Sequence, residues 1–427
     1  MVELIWDNKK EMLEEVNSDD FLKTDKHFEY NREESKNFDT TENLYIEGDN
    51  LDALKLLQKD YNNKIKMIYI DPPYNTERKF IYNDTFRNKR KKECRHSGCL
   101  NMMYPRLRLA RNLLSDNGII FVSIDNNEVD NMKKICNEIF GEENFIEEVI
   151  WKNKYGSGAQ TRGFIEVHEY ILCYSKKIIE SLTSELSEEE QKNYNKKDEK
   201  YSVRGGYMTQ PLMTRSLGDR ENLKYSITYQ GEEIIPNKQW VWSKERLEEA
   251  IANNEVEFNR KSDGNYSVRA KKYLYDEDGA IRRGKPISIM NGPFNQEGTQ
   301  ENRDLFKGKT LFDFTKPSNL IKKLISIRIN EDKNQDFIVL DFFSGSSTTA
   351  HAVMQMNAED KGNRKFIMVQ LPEECAEKSE AFKAGYKNIC EIGKERIRRA
   401  GDKIVEENKD KEGIEDLDIG FKVIKIK

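Results

Sequence analysis

The chain has 427 residues, enough for one large α/β domain with insertions or for two or three smaller domains. Charged residues make up 34% and the net charge is −5, but 20 Phe, 19 Tyr and 4 Trp argue against wholesale disorder. No apolar run approaches the roughly 20 residues a membrane helix needs, and Met1 to Asp7 lacks the basic segment and apolar core of a signal peptide, so a cytoplasmic protein with no membrane partner is expected.

Residues 1–42 are polar and weakly periodic, an irregular or helical lead-in. Asn43 to Asp49 reads as a short strand ending in a turn, and Leu51, Leu54, Leu56 and Leu57 follow at helical spacing. Lys66 to Ile70 is an apolar strand that runs into Asp71-Pro-Pro-Tyr74, where two prolines stop it. Next comes a run of six basic residues, Arg87, Lys89, Arg90, Lys91, Lys92 and Arg95, a candidate phosphate contact despite the net negative charge. Nearby Cys94, His96 and Cys99 lack a second ligand pair, so no metal is expected. A helix from Tyr104 closes at Ser115–Gly118, a buried parallel strand runs to Asp125, and a further helix reaches Phe140.

The middle of the chain is different, with a Glu/Lys/Asn-rich run at 180–200 and then short β-like pieces rich in turn residues. The α/β pattern resumes with a strand at Asp336–Phe343, a small-residue turn at Ser344–Thr349 and a helix from Ala350. A strand at Phe366–Leu371, a helix from about Tyr386 and an alternating strand at Gly420–Lys427 complete it. The fold class read from this order is an α/β, mostly parallel sheet with an inserted α+β region. Its expected parts are a lead-in at 1–42, halves at 43–178 and 306–427, and an insert at 179–305.

Two loops fall at carboxyl ends of predicted strands, where open α/β sheets bind ligands. In the second, Phe343-Ser-Gly-Ser-Ser-Thr-Thr349, tiny side chains let backbone approach a ligand. It has no Lys before the hydroxyl residues at the helix start, which argues against a phosphate-binding P-loop. Glu373, after the next strand, suits ribose hydroxyls, or else a helix N-terminus. The first loop is more specific. The exocyclic amine of adenine or cytosine is a poor nucleophile because its lone pair is delocalised into the ring. A carboxylate from Asp71 and a carbonyl from Pro72 that accept its two N–H groups free that pair, and Tyr74 offers a stacking face for an extruded base.

The chain resembles β-class DNA amino-methyltransferases, and among them the modification (Mod) subunits of type III restriction–modification systems. The resemblance rests on Asn43–Leu51, Ile68–Thr76, Met102–Leu107, Ile120–Asp125, His168–Leu172, Phe312–Pro317 and Leu340–Val353, with the Asp-Pro-Pro-Tyr loop preceding the cofactor loop. It implies a Rossmann-like, circularly permuted methyltransferase fold, S-adenosylmethionine as cofactor, and the N6 amine of adenine in double-stranded DNA as acceptor. It also implies catalysis at Asp71, Pro72, Pro73 and Tyr74, and a cofactor held by Asp49, Lys316, Asp341, Phe343, Gly345, Ser346, Thr348, Thr349 and Glu373. The insert becomes the target-recognition region. A homodimer is a common family state, and a restriction subunit is the implied partner in type III systems, although the short insert and the end at the closing strand fit a solitary enzyme better. Ser347 stands where the family's loop has a second glycine. The alternatives are methylation of cytosine N4 and a weakly catalytic DNA-recognition subunit.

Overall fold

The computed structural model describes residues 4–18, 20–76, 95–156, 163–214, 218–312, 314–329 and 335–427. The chain divides into two compact units, one of residues 1–182 with 286–427 and one of residues 183–285.

The first unit is built on a ten-stranded sheet. Its strands are β1 (Phe28–Lys36), β2 (Leu44–Glu47), β3 (Ile65–Ile70), β4 (Leu114–Ile124), β5 (Phe145–Lys152), β6 (His168–Ser175), β7 (Ile289–Asn291), β8 (Ile338–Asp341), β9 (Lys365–Gln370) and β10 (Phe421–Ile426). They lie in the order β1-β10-β2-β9-β8-β3-β4-β6-β5-β7. From β10 to β4 every neighbouring pair is parallel. The outer pairings β1–β10, β4–β6 and β5–β6 are antiparallel. Its longer helices are α1 (Lys9–Val16), α2 (Asn50–Tyr61), α3 (Arg95–Leu113), α4 (Val129–Phe140), α5 (Asn295–Leu305), α6 (Ser318–Ser326), α7 (Thr348–Asp360) and α8 (Ile389–Glu407).

The central strands read as continuous apolar runs because both faces are covered. Along β3, Ile68 and Ile70 pack on one side with Leu54, Leu57, Leu107 and Ile135 of α2, α3 and α4. Met67 and Tyr69 pack on the other side, in a core shared with Leu320, Leu324, Val353 and Ile397 of α6, α7 and α8. From β3 the chain steps to β4 on one side, and from β8 it steps to β9 on the other. The gap between β3 and β8 is therefore a topological switch point, where the loops beyond the strand ends diverge and leave a crevice.

Three local expectations change. The lead-in contains a nine-residue strand, β1, whose sequence Phe-Glu-Tyr-Asn-Arg-Glu-Glu-Ser-Lys hides no apolar alternation because it sits at the sheet edge. Helix α3 begins nine residues before Tyr104 and carries Pro105 inside it, a residue that reads more naturally as a first-turn proline. Ser115–Gly118 lies within β4, at an irregularity in its register with β3.

The second unit holds a three-stranded antiparallel sheet, in which Tyr266–Tyr273 lies between Val256–Arg260 and Tyr207–Pro211. Its core gathers Trp240, Leu247 and Val268, with Leu247 on the helix Lys244–Ala252 that Ser243 caps. The two ends of the unit are tied by an antiparallel bridge, Ser184 N to Gly284 O at 3.0 Å and Gly284 N to Ser184 O at 2.9 Å. The unit is narrower than the 179–305 insert expected. Residues 286–305 belong to the first unit, because β7 pairs with β5 and α5 packs on α8.

Candidate active site

A cavity of about 250 Å³ opens at the carboxyl ends of β2, β3, β8 and β9, over the switch point. Of the residues expected at a site, Asp49, Asp71, Pro73, Lys316, Asp341, Phe343, Gly345, Ser346, Thr348, Thr349 and Glu373 all line it. Pro72 is buried and Tyr74 stands behind Asp71, neither on the cavity wall.

Asp71 follows β3 and keeps 28% of its side-chain surface open. Its Oδ1 accepts the Tyr74 hydroxyl at 2.7 Å and lies 3.3 Å from Lys316 Nζ. Lys316, in the turn that leads into α6, donates to Tyr74 Oη and to Glu169 Oε2, each at 2.7 Å. Its three ammonium hydrogens thus meet three oxygens. Glu169, on β6, is held on its other oxygen by Asn153 Nδ2 at 2.6 Å, and the Tyr74 hydroxyl lies 3.1 Å away. The Lys316 ammonium also lies 4.9 Å from the Tyr74 ring centre and 5.2 Å from that of Trp151. Burial raises the Asp71 carboxyl above the usual carboxylate range; Lys316 opposes this and Glu169 adds to it. Burial alone would lower the Lys316 ammonium, but Asp71 and Glu169 outweigh it and hold it fully charged. Burial and the two carboxylates push the Tyr74 hydroxyl well above the usual range, so it stays a neutral donor.

The second loop leaves β8 at Asp341, whose Oδ1 accepts Phe343 N at 3.0 Å and whose Oδ2 accepts Thr349 Oγ1 at 2.6 Å. Burial pushes the Asp341 carboxyl up to about 7. Gly345 adopts φ +49°, a conformation that favours glycine, and its N–H donates to Gln370 Oε1 at 2.7 Å. Ser347 also has a left-handed backbone, φ 65° and ψ 38°, and precedes α7 in a fully buried position, its side chain making no capping hydrogen bond. Its hydroxyl fits because α8 presents Gly393 there: a Cβ on Gly393 would lie 2.7 Å from Ser347 Oγ and 2.7 Å from Tyr45 Oη. Behind the loop, fully buried Arg396 donates to Ser346 Oγ and Thr348 Oγ1, both at 2.7 Å, and reaches Glu301 on α5 at 3.2 Å.

At the end of β2, Asp49 caps α2 by accepting Leu51 N at 2.8 Å and pairs with Arg106 of α3 at 3.2 Å. Arg106 also donates to Asn50 Oδ1 at 2.5 Å, and Asn50 Nδ2 donates to Phe342 O at 2.8 Å, which joins α2 and α3 to the cofactor-side loop. Glu373 opens no helix; the next one starts at Glu380. Of the basic run, Arg87, Lys89, Arg90, Lys91 and Lys92 lie outside the described residues. Arg95 opens α3 with Nη1 3.4 Å from Asn75 O. Sequence reading missed Glu169, Asn153 and Arg106 as parts of the site. Glu169 and Arg106 lie within stretches that carry the resemblance, but no spacing rule places them beside Asp71 or Asp49. No cluster of metal-ligating side chains occurs among the described residues.

A family model described as DNA methylase matches residues 65–384, which spans both loops and the unit between. The StyLTI Mod subunit, a type III restriction–modification enzyme of Salmonella typhimurium, is 36% identical over 91% of this chain and 60% of its own length. The EcoPI Mod subunit of Escherichia phage P1 is 32% identical over 92% of this chain and 66% of its own. The chain therefore spans about two thirds or less of these two relatives. The type II methyltransferase M.KpnI of Klebsiella pneumoniae is 30% identical over 88% of this chain and 92% of its own length. With both loops at one switch point and a family model that covers three quarters of the sequence, the chain belongs to the DNA methylase family.

Proposed function

We propose that this chain is a site-specific methyltransferase that acts on the N6 amine of an adenine in double-stranded DNA and uses S-adenosylmethionine. The observation that carries the reading is that Asp71 and the Phe343–Thr349 loop, from neighbouring parallel strands, line one cavity. The wall fits the cofactor: aromatic Phe312 and Phe343, acidic Asp49 and Glu373 for hydroxyl and ammonium groups, and a left-handed Gly345 that lets backbone come close. When bound, S-adenosylmethionine supplies an electrophilic methyl group on a sulfonium that leaves as a thioether.

The protein's part is positioning. Both contacts to Asp71 fall on Oδ1, and no described residue bonds Oδ2. Oδ2 and the Pro72 carbonyl accept the two N–H groups of the acceptor amine, which gathers its lone pair into one direction. Asp71 then takes the proton that the nitrogen loses once methylated. Tyr74, from behind, holds Oδ1 of Asp71 through its hydroxyl. Within this reading the basic run Arg87–Arg95 contacts phosphates and the unit 183–285 reads the target sequence. The match along 92% of M.KpnI, a type II methyltransferase, supports methyl transfer by this stretch.

The test is incubation with labelled S-adenosylmethionine and unmethylated genomic DNA, followed by digestion to nucleosides. Labelled N6-methyladenine is expected from the wild type. Asp71→Ala should abolish label while cofactor binding by calorimetry stays within about twofold. Labelled N4-methylcytosine, or full activity in the Asp71 variant, refutes the proposal.

A further inference from the structure

The methylation reading uses Asp71 but leaves unexplained why a buried lysine is shared between that residue and a second carboxylate. Lys316 Nζ is 2.7 Å from Glu169 but 3.3 Å from Asp71, so the cation is drawn toward Glu169. Asn153, wholly buried, fixes the far oxygen of Glu169 and aims its near oxygen at the cation. Trp151, also wholly buried, flanks the ammonium, and its indole is anchored by donation to Pro293 O at 2.9 Å. A lone Lys316–Asp71 pair would satisfy the charges with fewer buried ions, and a second buried carboxylate costs desolvation.

On the methylation reading, we propose that Glu169 is a positioning residue: by holding Lys316 it keeps the cation from closing onto Asp71, so that Asp71 meets the acceptor amine with one oxygen open and its proton affinity intact. Every group that faces the Asp71 carboxylate enters the balance. Lys316 comes from the turn before α6, Glu169 from β6, Tyr74 from its own loop, Tyr69 from β3 and Asp341 from β8. Burial and Glu169 push the carboxyl toward protonation, and Lys316 and the Tyr74 hydroxyl oppose them. Without Glu169, Lys316 collapses onto Asp71 and makes it a weaker proton acceptor. Without Lys316, the two carboxylates repel and Asp71 becomes harder to ionise.

The experiment is the pH profile of kcat/KM for N6-methyladenine formation by the full chain on unmethylated genomic DNA, with calorimetric cofactor binding and a melting curve for each variant. Activity requires ionised Asp71, so it rises through an acid limb. Burial also pushes the Asp341 carboxyl up to about 7, so the displacement between proteins, not the absolute position of the limb, is the readout. Glu169→Gln should move the limb down by about one pH unit and lower kcat about tenfold or more. Lys316→Gln should move it up by a similar amount. Glu169→Asp should restore the wild-type limb in part, and cofactor affinity should change less than about twofold in Glu169→Gln. Limbs that stay in place, or move in the same direction in both variants, overturn the proposal. If Glu169→Gln does not fold, an unmoved or lowered limb in Lys316→Gln does so alone. A wild type that makes no methylated adenine refutes the methylation reading instead, so the two failures are distinct.

Discussion

Replacing Ser347 by glycine should stabilise the protein, an unusual outcome for a fully buried position. Three terms decide it. A left-handed backbone at a residue with a Cβ costs about 1–2 kcal/mol, which glycine avoids. The Ser347 hydroxyl is buried with no partner among the described residues, and such an orphan costs about 1–3 kcal/mol. Against these stand the extra freedom that glycine gives the unfolded chain, about 0.5–1 kcal/mol, and the lost contacts of one methylene, about 0.8 kcal/mol. The balance favours Ser347→Gly by about 2 kcal/mol, which raises Tm by about 2 °C for a chain of this length. Differential scanning calorimetry of the full chain measures it directly. An unchanged or lower Tm would refute the reasoning, because it would mean either that the hydroxyl is satisfied or that the loop does not hold its left-handed turn in solution.

Gly393→Ala should do the reverse. The new methyl meets Ser347 Oγ and Tyr45 Oη at 2.7 Å each, which should cost about 1–3 kcal/mol, and adding Ser347→Gly to the same chain should recover part of it in a double-mutant cycle read by urea unfolding. Asp341→Asn tests the buried carboxyl. In the folded state this group holds its proton up to about 7, well above its unfolded value of 3.8. The folded state therefore binds more protons in that window, and stability falls as pH rises through it. The amide has no such slope, so stability of the variant relative to wild type should improve between pH 4 and 7 by a few kcal/mol, on the order set by the linkage relation, and stay level above. A difference independent of pH, measured by urea unfolding at pH 5 and pH 8, would show that Asp341 ionises normally.

What the sequence made legible follows how local each feature is. β3 and β8 announce themselves as apolar runs broken by prolines or small residues, and those breaks are the two loops of the site. Gly345 and Ser347 are local as well, since a tight turn from strand to helix needs left-handed residues whatever surrounds it. Edge strand β1 was illegible because an exposed edge demands no apolar pattern. Glu169 was illegible as a site residue for a different reason. It reaches Lys316 across 147 residues of chain, and nothing along β6 distinguishes a carboxylate that faces a buried lysine from one that faces water. Arg396 is similar: in α8 it reads as one of several basic residues in a charged helix, and only packing turns it inward onto Ser346 and Thr348.

The bridge between Ser184 and Gly284 changes what the sheet experiences at that point of the chain. Between β6 and β7 run more than a hundred residues, yet the bridge pinches their base so that the sheet is joined by only about fourteen. Loop-closure entropy grows as the logarithm of length, so the pinch spares the sheet about 2 kcal/mol that an unstructured connection of the full length would cost. That cost is met inside the unit, by its own core around Trp240. The stability of the ten-stranded sheet is thereby made insensitive to what lies between 185 and 283. A stretch of another size or sequence whose two ends still meet would therefore leave the strand ends around Asp71 undisturbed.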